Sequence, residues 1–176
     1  RFEQLFLLPI LGLNTATLSL VGQNLGAGNL IRIKEIYYIT LKYGVGLMLI
    51  GGLIIFISSS HVMKFFSNDT EIIYYGTMYL KVAAIAGPCY PIFYITSALL
   101  QGLKKPTYAL VINLLRMIMI PIIILGPAVI IYKISYLQLF VTVLVINYIF
   151  SLLILLFAKN LIAKKIKNYK PNLTAV

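Results

Sequence analysis

Ionisable side chains are few in this sequence, which limits the chemistry that it can perform. The carboxylates are Glu3, Glu35, Asp69 and Glu71, the only histidine is His61, and no acid follows Glu71. The sequence has no HExxH, GxSxG or P-loop motif and no cysteine cluster, so it lacks the usual patterns for hydrolysis, phosphate binding or metal ligation. We therefore expect no enzymatic activity and no catalytic, cofactor-binding or metal-binding residues.

The most specific string in the sequence is VGQNLGAGN, at residues 21–29. Gly22 and Gly26 are four residues apart, a spacing that allows two membrane helices to approach closely. Gln23 and Asn24 are then expected to hydrogen-bond across a helix interface or to cap the helix end. The closing GAGN predicts that the helix ends there with a residue in the left-handed conformation. Tight packing followed by a helix end explains the string without any ligand.

Arg116 is the one charge in the middle of a long apolar stretch, and such a residue is by default a functional hypothesis. It lies ten residues after Pro106, or about 15 Å of helical rise, and is therefore expected near mid-depth of a membrane. We favour structural pairing with another helix over direct contact with a substrate. Its expected partner is a carbonyl, Asn113, or a group outside this chain.

A kink is predicted at Gly87-Pro88 and Pro91, because proline removes a helical hydrogen bond and frees a carbonyl. Tyr90 and Tyr94 are four residues apart and are expected on one face of that helix. Broken helices often line the binding site of a transporter, although a kink that serves packing alone is about as good an explanation. The candidate residues for a path through the membrane or for packing against other helices are Gly22, Gln23, Asn24, Gly26, Pro88, Tyr90, Pro91, Tyr94, Asn113 and Arg116.

The elements that position these residues are predicted to be membrane-spanning helices. Hydrophobic residues make up 61% of the sequence and charged residues 11%, against roughly 45–50% and 25% in soluble domains. Continuously apolar runs exclude the alternating strands of a membrane barrel. Long stretches without charged residues predict an all-α integral membrane protein with about five membrane-spanning helices. A capping-box pattern at Asn68 to Glu71 predicts the start of the third helix. The predicted spans are 2–25, 36–60, 72–102, 107–132 and 134–158, followed by a basic, solvated tail at 159–176.

The basic residues are divided unequally between the two ends of these five helices, and the formal net charge is +11. The positive-inside rule places the richer end and the C-terminus in the cytoplasm. We therefore expect a multi-pass protein of the bacterial plasma membrane that contacts lipid and binds no nucleic acid. The poorer end holds Lys64, Lys81 and Lys133. The richer end holds Arg32, Lys34, Lys42, Lys104, Lys105, Lys159, Lys164, Lys165, Lys167 and Lys170.

The sequence PILGLNTATLSLVGQNLGAGN at residues 9–29 closely resembles the second-half signature of the multidrug and toxic compound extrusion (MATE) transporters. Residues 66–72 with Gly76, and residues 100–107, resemble an outer loop with a helix start and an inner turn of that family. Asn113, Arg116 and Pro121 resemble its eleventh-helix pattern. This resemblance implies that residues 1–170 belong to the C-terminal lobe and form the last five of about twelve helices in a two-lobe transporter.

The resemblance further implies a secondary antiporter that exports drugs or small organic cations in exchange for sodium ions or protons. Its main partner would be the N-terminal lobe of the same chain, and the fragment alone would be inactive. Some family members carry an acidic residue in the tenth helix, but residues 82–91 contain none here. The residue that binds the coupling ion is therefore expected outside this fragment.

Two alternatives remain at this point. A flippase for lipid-linked oligosaccharides, from the same superfamily, would be expected to place more basic residues in its cavity than Arg116 alone. A non-transporting membrane scaffold is the other alternative, because five helices lack the second lobe that alternating access requires.

Overall fold

The computed structural model describes residues 5, 7–119, 122–123, 127 and 135–167, and every regular element within these ranges is helical. Glu3, Pro121, Lys133 and Lys170, which the sequence predictions name, lie outside the described residues. In chain order the helices are α1 (Leu8–Gly26), α2 (Leu30–Phe66), α3 (Thr70–Ala86), α4 (Cys89–Gly102), α5 (Pro106–Leu114), which continues as a π-helical turn (Leu115–Met119), and α6 (Tyr136–Lys167).

Polar residues fix the two tight connections at either end of α2. Gly28 has a φ of 71°, as the predicted left-handed helix end requires, and the Asn29 side chain accepts a hydrogen bond from the Arg32 backbone N–H at 3.2 Å. At the start of α3 the cap is Asp69, whose carboxylate accepts from the backbone N–H of Glu71 at 2.8 Å. The predicted cap at Asn68 was one residue too early.

Membrane-crossing length is reached by α2 and α6, and also by α3 and α4 if this pair, bent by 44°, counts as one span. Among the described residues this gives two or three candidate spans rather than five. The predicted spans at 2–25 and 107–132 extend beyond the described residues, so their full lengths stay predictions. The bend occurs at Gly87-Pro88, where the sequence predicts it.

A hydrophobic core lies at the end of the bundle where α2 begins and α6 ends. Ile162 is 4% exposed and belongs to it, so the predicted boundary of a solvated tail at residue 159 is wrong. The α6 helix continues to Lys167 because apolar residues recur at helical spacing between the lysines and cover one face. Residues 168–176 of that tail lie outside the described range. The core residues are Val21, Leu30, Ile33, Ile36, Tyr37, Ile95, Leu99, Leu103, Ala158 and Ile162.

The α2 helix packs very closely against α3 and α4, the two helices joined at the bend. An added Cβ at Gly52 would lie 2.8 Å from the Ala84 carbonyl oxygen, and one at Gly44 would lie 2.8 Å from the Pro91 Cβ. Since both positions are buried glycines, the helices approach more closely than larger side chains allow. This packing fixes the place of the bend relative to α2.

Candidate functional site

The bend between α3 and α4 leaves carbonyl groups in the last turn of α3 without helical partners. One of them, the Ile85 carbonyl oxygen, accepts a hydrogen bond at 2.7 Å from the Tyr148 hydroxyl on α6. A tyrosine from another helix therefore compensates part of the cost of the break at Pro88. Tyr148 was not among the residues predicted from the sequence.

A cavity of about 200 Å³ lies at this bend, between the start of α1, α2 and the α3–α4 pair. Tyr90 and Tyr94 both line it, as their spacing of four residues predicts. Gly87 also lines it, so the two tyrosines share this cavity with the point where the helix is broken. The lining residues are Leu7, Met48, Gly52, Ile55, Ala83, Ala84, Gly87, Tyr90 and Tyr94.

Arg116 approaches the same stretch of α4 from the π-helical turn, a feature that is frequent at functional sites. Its guanidinium carbon lies 3.7 Å from the Phe93 ring centroid and 5.4 Å from that of Tyr90. Its Nε and Nη2 donate to the Asn147 Oδ1 at 3.4 and 3.3 Å. The half-buried cation is thus held by two aromatic faces and one amide oxygen.

The partner of Arg116 differs from the side chain that the sequence analysis named. Asn113 instead donates from its Nδ2 to the Ser97 Oγ at 3.3 Å, and Gln101 donates to the same oxygen at 3.3 Å. Ser97 lies one helical turn after Phe93 on α4. Asn113 and Arg116 therefore both face α4, at successive levels of one α4–α5 contact.

Among the described residues no carboxylate pairs with Arg116, since the ion pair found there joins Arg32 and Glu35 at 2.8 Å on the surface. Asn147 is neutral, so the site keeps a net positive charge. Tyr90 links the two features, because it lines the cavity and its ring lies 5.4 Å from the Arg116 guanidinium carbon, while Arg116 itself is not among the cavity's lining residues. Aromatic rings and a cation on neighbouring sides of α4 suit flat ligands with polar groups.

The glycine string on α1 lies apart from this site. An added Cβ at Gly22 or Gly26 would meet no described atom within 4 Å. Gln23 donates to the Ser19 Oγ at 3.2 Å and Asn24 donates to the Leu20 carbonyl at 2.8 Å, both within α1. The expected close approach and cross-helix hydrogen bonds of this face are therefore absent from the described part of the chain.

The close approach of α1 is made by its other face instead. An added Cβ at Gly102 on α4 would lie 2.7 Å from the Val21 Cγ1 and 3.1 Å from the Leu18 carbonyl oxygen. Val21 immediately precedes Gly22, so the two faces are about 100° apart around the helix. This segment therefore packs on α4 through Val21, and the space beside Gly22 and Gly26 holds no described atom.

Asn147 is the site residue that sequence reasoning missed most clearly. It lies in a strongly apolar helix, and an amide in such surroundings is costly unless it is hydrogen-bonded. Its Nδ2 donates to the Val143 carbonyl at 2.9 Å, which leaves its oxygen free to accept from Arg116. An isolated amide in an apolar span was therefore the available signal.

Comparison with known proteins gives consistent matches. The MatE family model matches residues 1–125. A FAD transporter from Shewanella oneidensis is 27% identical over 128 residues, which cover 72% of this chain and 28% of that protein.

Two similar solved structures are described as the outward-facing and the inward-facing conformation of a multidrug resistance MATE family transporter of the MOP superfamily. The first has a TM-score of 0.87 at 20% identity, covering 96% of this chain and 38% of that one. The second has a TM-score of 0.87 at 19% identity, covering 97% and 39%. At these identities the likeness describes the fold, and the chain spans less than two fifths of the proteins that it matches.

Proposed function

From the premise that the chain belongs to the MatE family, we propose that it forms part of a secondary active antiporter that exports drugs or organic cations in exchange for sodium ions or protons. The observation that carries this proposal is the 44° bend in the α3–α4 span beside a cavity lined by Tyr90 and Tyr94. Transporters commonly build their binding sites where a membrane helix is interrupted.

The coupling ion requires oxygen ligands, and the helices after Glu71 offer no carboxylate for it. Sodium ions and protons bind carboxylates, and no acid follows Glu71 in the sequence. Among the described residues there is also no group of three or more potential metal ligands. We therefore propose that the coupling residue belongs to the part of the transporter outside residues 1–176, together with the second lobe.

A second candidate substrate is an aromatic anion, and Arg116 is the observation that favours it. Its charge is held beside two aromatic rings with a neutral amide as its hydrogen-bond partner. Flavin adenine dinucleotide, named for the relative from Shewanella oneidensis, combines flat rings with negatively charged phosphates. Such a ligand would use the same arrangement, with Arg116 binding its phosphate.

Transport by the whole protein in proteoliposomes tests the proposed antiport. We expect efflux of an ethidium-type dye that starts when a sodium or proton gradient is imposed and stops when the gradient is collapsed. Efflux that ignores both gradients would contradict the antiport mechanism, and the absence of any transport would support the scaffold alternative.

Arg116→Gln decides between the two substrate classes. If the substrate is a cation, removing the charge leaves dye efflux intact or improves it. If the substrate is an aromatic anion, the same change weakens flavin dinucleotide transport about tenfold or more, since a charged hydrogen bond contributes about 1.5–3 kcal/mol. Lys34→Gln, an exposed change on α2, is the matched control and should leave both activities unchanged.

The proposed orientation places the C-terminus in the cytoplasm. The described structure gathers Lys104, Lys105 and Lys165 at one end of the bundle and Lys64 with Asp69 at the other. Single cysteines introduced near Asp69 should react with an impermeant thiol reagent added outside intact cells, whereas those near Lys104 should not. Cys89 is buried and is replaced beforehand. Equal labelling of the two ends would contradict this orientation.

A further inference from the structure

A second cavity lies between α5 and α6, away from the bend. It has a volume of about 360 Å³ and an almost entirely apolar lining. Leu153 is 54% exposed and Val111 is 46% exposed, so the groove opens on the outer surface of the bundle. Its lining residues are Thr107, Tyr108, Val111, Ile112, Phe150, Leu153, Ile154 and Phe157.

One end of this groove is strongly basic. The rings of Tyr108 and Phe157, which line the groove, lie 5.9 Å apart, and the Lys105 ammonium lies 5.4 Å from the Tyr108 centroid. Lys105 is also the residue that precedes α5, and no side chain caps the first N–H groups of that helix. An uncapped helix start beside an ammonium group attracts anions.

Two further lysines lie at the same end. Leu103 and Ile162 belong to one core cluster, which brings Lys104 and the last turns of α6 together. The α6 helix continues past Ile162 to Lys167, and Lys165 in its last turns lies near enough to Lys105 and Lys104 for their charges to act on it. These three cations repel one another, and a bound anion would relieve that repulsion.

We propose that the α5–α6 groove binds one acyl chain of an anionic phospholipid whose phosphate is held by Lys104, Lys105 and Lys165. Charge complementarity selects this occupant, because the end of the groove is cationic while its length is apolar. An anionic phospholipid matches the apolar groove and its cationic end, because its acyl chain lies along the groove and its headgroup lies at the membrane surface. The inference does not depend on the proposed transport activity.

Native mass spectrometry on the delipidated whole protein tests the headgroup preference. Phosphatidylglycerol and phosphatidylcholine with identical acyl chains are titrated separately, and we expect tighter binding of phosphatidylglycerol. Each lysine near a membrane surface contributes about a fivefold gain, so Lys105→Gln with Lys165→Gln should weaken phosphatidylglycerol binding about thirtyfold. Phosphatidylcholine binding should change little.

The matched control is the double change Lys64→Gln with Lys81→Gln, which removes two exposed lysines that belong to the poorer end. It should leave the preference for phosphatidylglycerol intact. Equal binding of the two lipids by the unmodified protein, or an equal loss in the control, would overturn the proposed headgroup site.

Filling the groove tests the acyl-chain part of the proposal. Val111→Trp and, separately, Leu153→Phe should each weaken both lipids several-fold, and an unchanged melting temperature of either variant shows that the protein still folds. Unchanged lipid binding in a folded variant would overturn the groove. Displacement of phosphatidylglycerol by an equal concentration of inorganic phosphate would instead make this a site for free anions, and would also overturn the proposal.

Discussion

The α4 helix has two unlike sides. Against α1 and α2 it packs through Gly102 and Pro91. An added Cβ on Gly102 would lie 2.7 Å from the Val21 Cγ1 of α1, and one on Gly44 of α2 would lie 2.8 Å from the Pro91 Cβ. Against α5 and α6 it packs through Phe93 and Ser97, where Arg116, Asn113 and Asn147 make long hydrogen bonds and ring contacts. The first side is dominated by close approach of small residues, whereas the second adds these polar pairs to a hydrophobic cluster around Cys89, Phe93 and Ile154.

This difference separates a rigid contact from an adjustable one. Glycine contacts tolerate almost no change of distance, because packed backbones cannot yield. Hydrogen bonds of 3.3–3.4 Å and a cation over aromatic rings can rearrange when a ligand supplies another acceptor, although losing the acceptor with nothing in its place is costly. We therefore expect α4 to keep its position on α1 and α2, and the α5–α6 side to respond when a ligand binds.

The largest effect on stability is expected on the polar side, from Asn147→Leu. This change removes the hydrogen-bond acceptor of a half-buried guanidinium, and hydrogen bonds to charged groups contribute about 1.5–3 kcal/mol. The melting temperature of the whole protein in detergent should fall by several degrees.

A double-mutant cycle identifies the source of that loss. In an Arg116→Met background no charge remains to be left unpaired, so Asn147→Leu should cost little more. If the losses in stability from the two changes were instead additive, Asn147 would stabilise the protein independently of Arg116, which contradicts the hydrogen bonds between them.

On the packed side, Gly52→Ala is expected to destabilise the protein by about 1–3 kcal/mol, the usual cost of overpacking. The new methyl group would lie 2.8 Å from the Ala84 carbonyl oxygen, which is backbone and cannot move away. The matched control is Gly46→Ala on the same helix, where an added Cβ meets nothing within 4 Å.

Thermal unfolding of both variants measures the difference. Gly46→Ala should be neutral or slightly stabilising, because alanine is the better helix former. Equal melting temperatures for the two variants would show that α2 and α3 are free to separate, which contradicts a rigid contact.

Sequence reasoning predicted the local features of this fold and missed the pairings between distant helices. The bend at Pro88 and the left-handed Gly28 follow from the chemistry of single residues, so the sequence predicts them directly. The end of α6 was misplaced because lysines were taken to mark a solvated tail, although Ile162 between them reaches the core. Local charge does not reveal which face of a helix is buried.

The site was predicted in part for the same reason. Tyr90 and Tyr94 line one cavity, as their spacing predicts, and the Tyr90 ring lies 5.4 Å from the Arg116 guanidinium carbon. Their partners Asn147 and Tyr148 come from α6, which follows α4 by more than thirty residues. Such a pairing depends on how helices pack, and a single sequence gives no distance between them.

The smallest effect is expected from Tyr148→Phe, which tests how the two sides of α4 meet at the bend. The change removes one hydroxyl and leaves the Ile85 carbonyl without its 2.7 Å hydrogen bond, at a cost of about 0.5–1.5 kcal/mol. Tyr43→Phe is the control, since Tyr43 is 65% exposed on α2. A fall in melting temperature for Tyr148→Phe alone would show that α6 stabilises the broken helix through this hydrogen bond, in addition to binding Arg116 through Asn147. Equal behaviour of the two variants would mean that the bend is held by Pro88 and the α2 contact without help from α6.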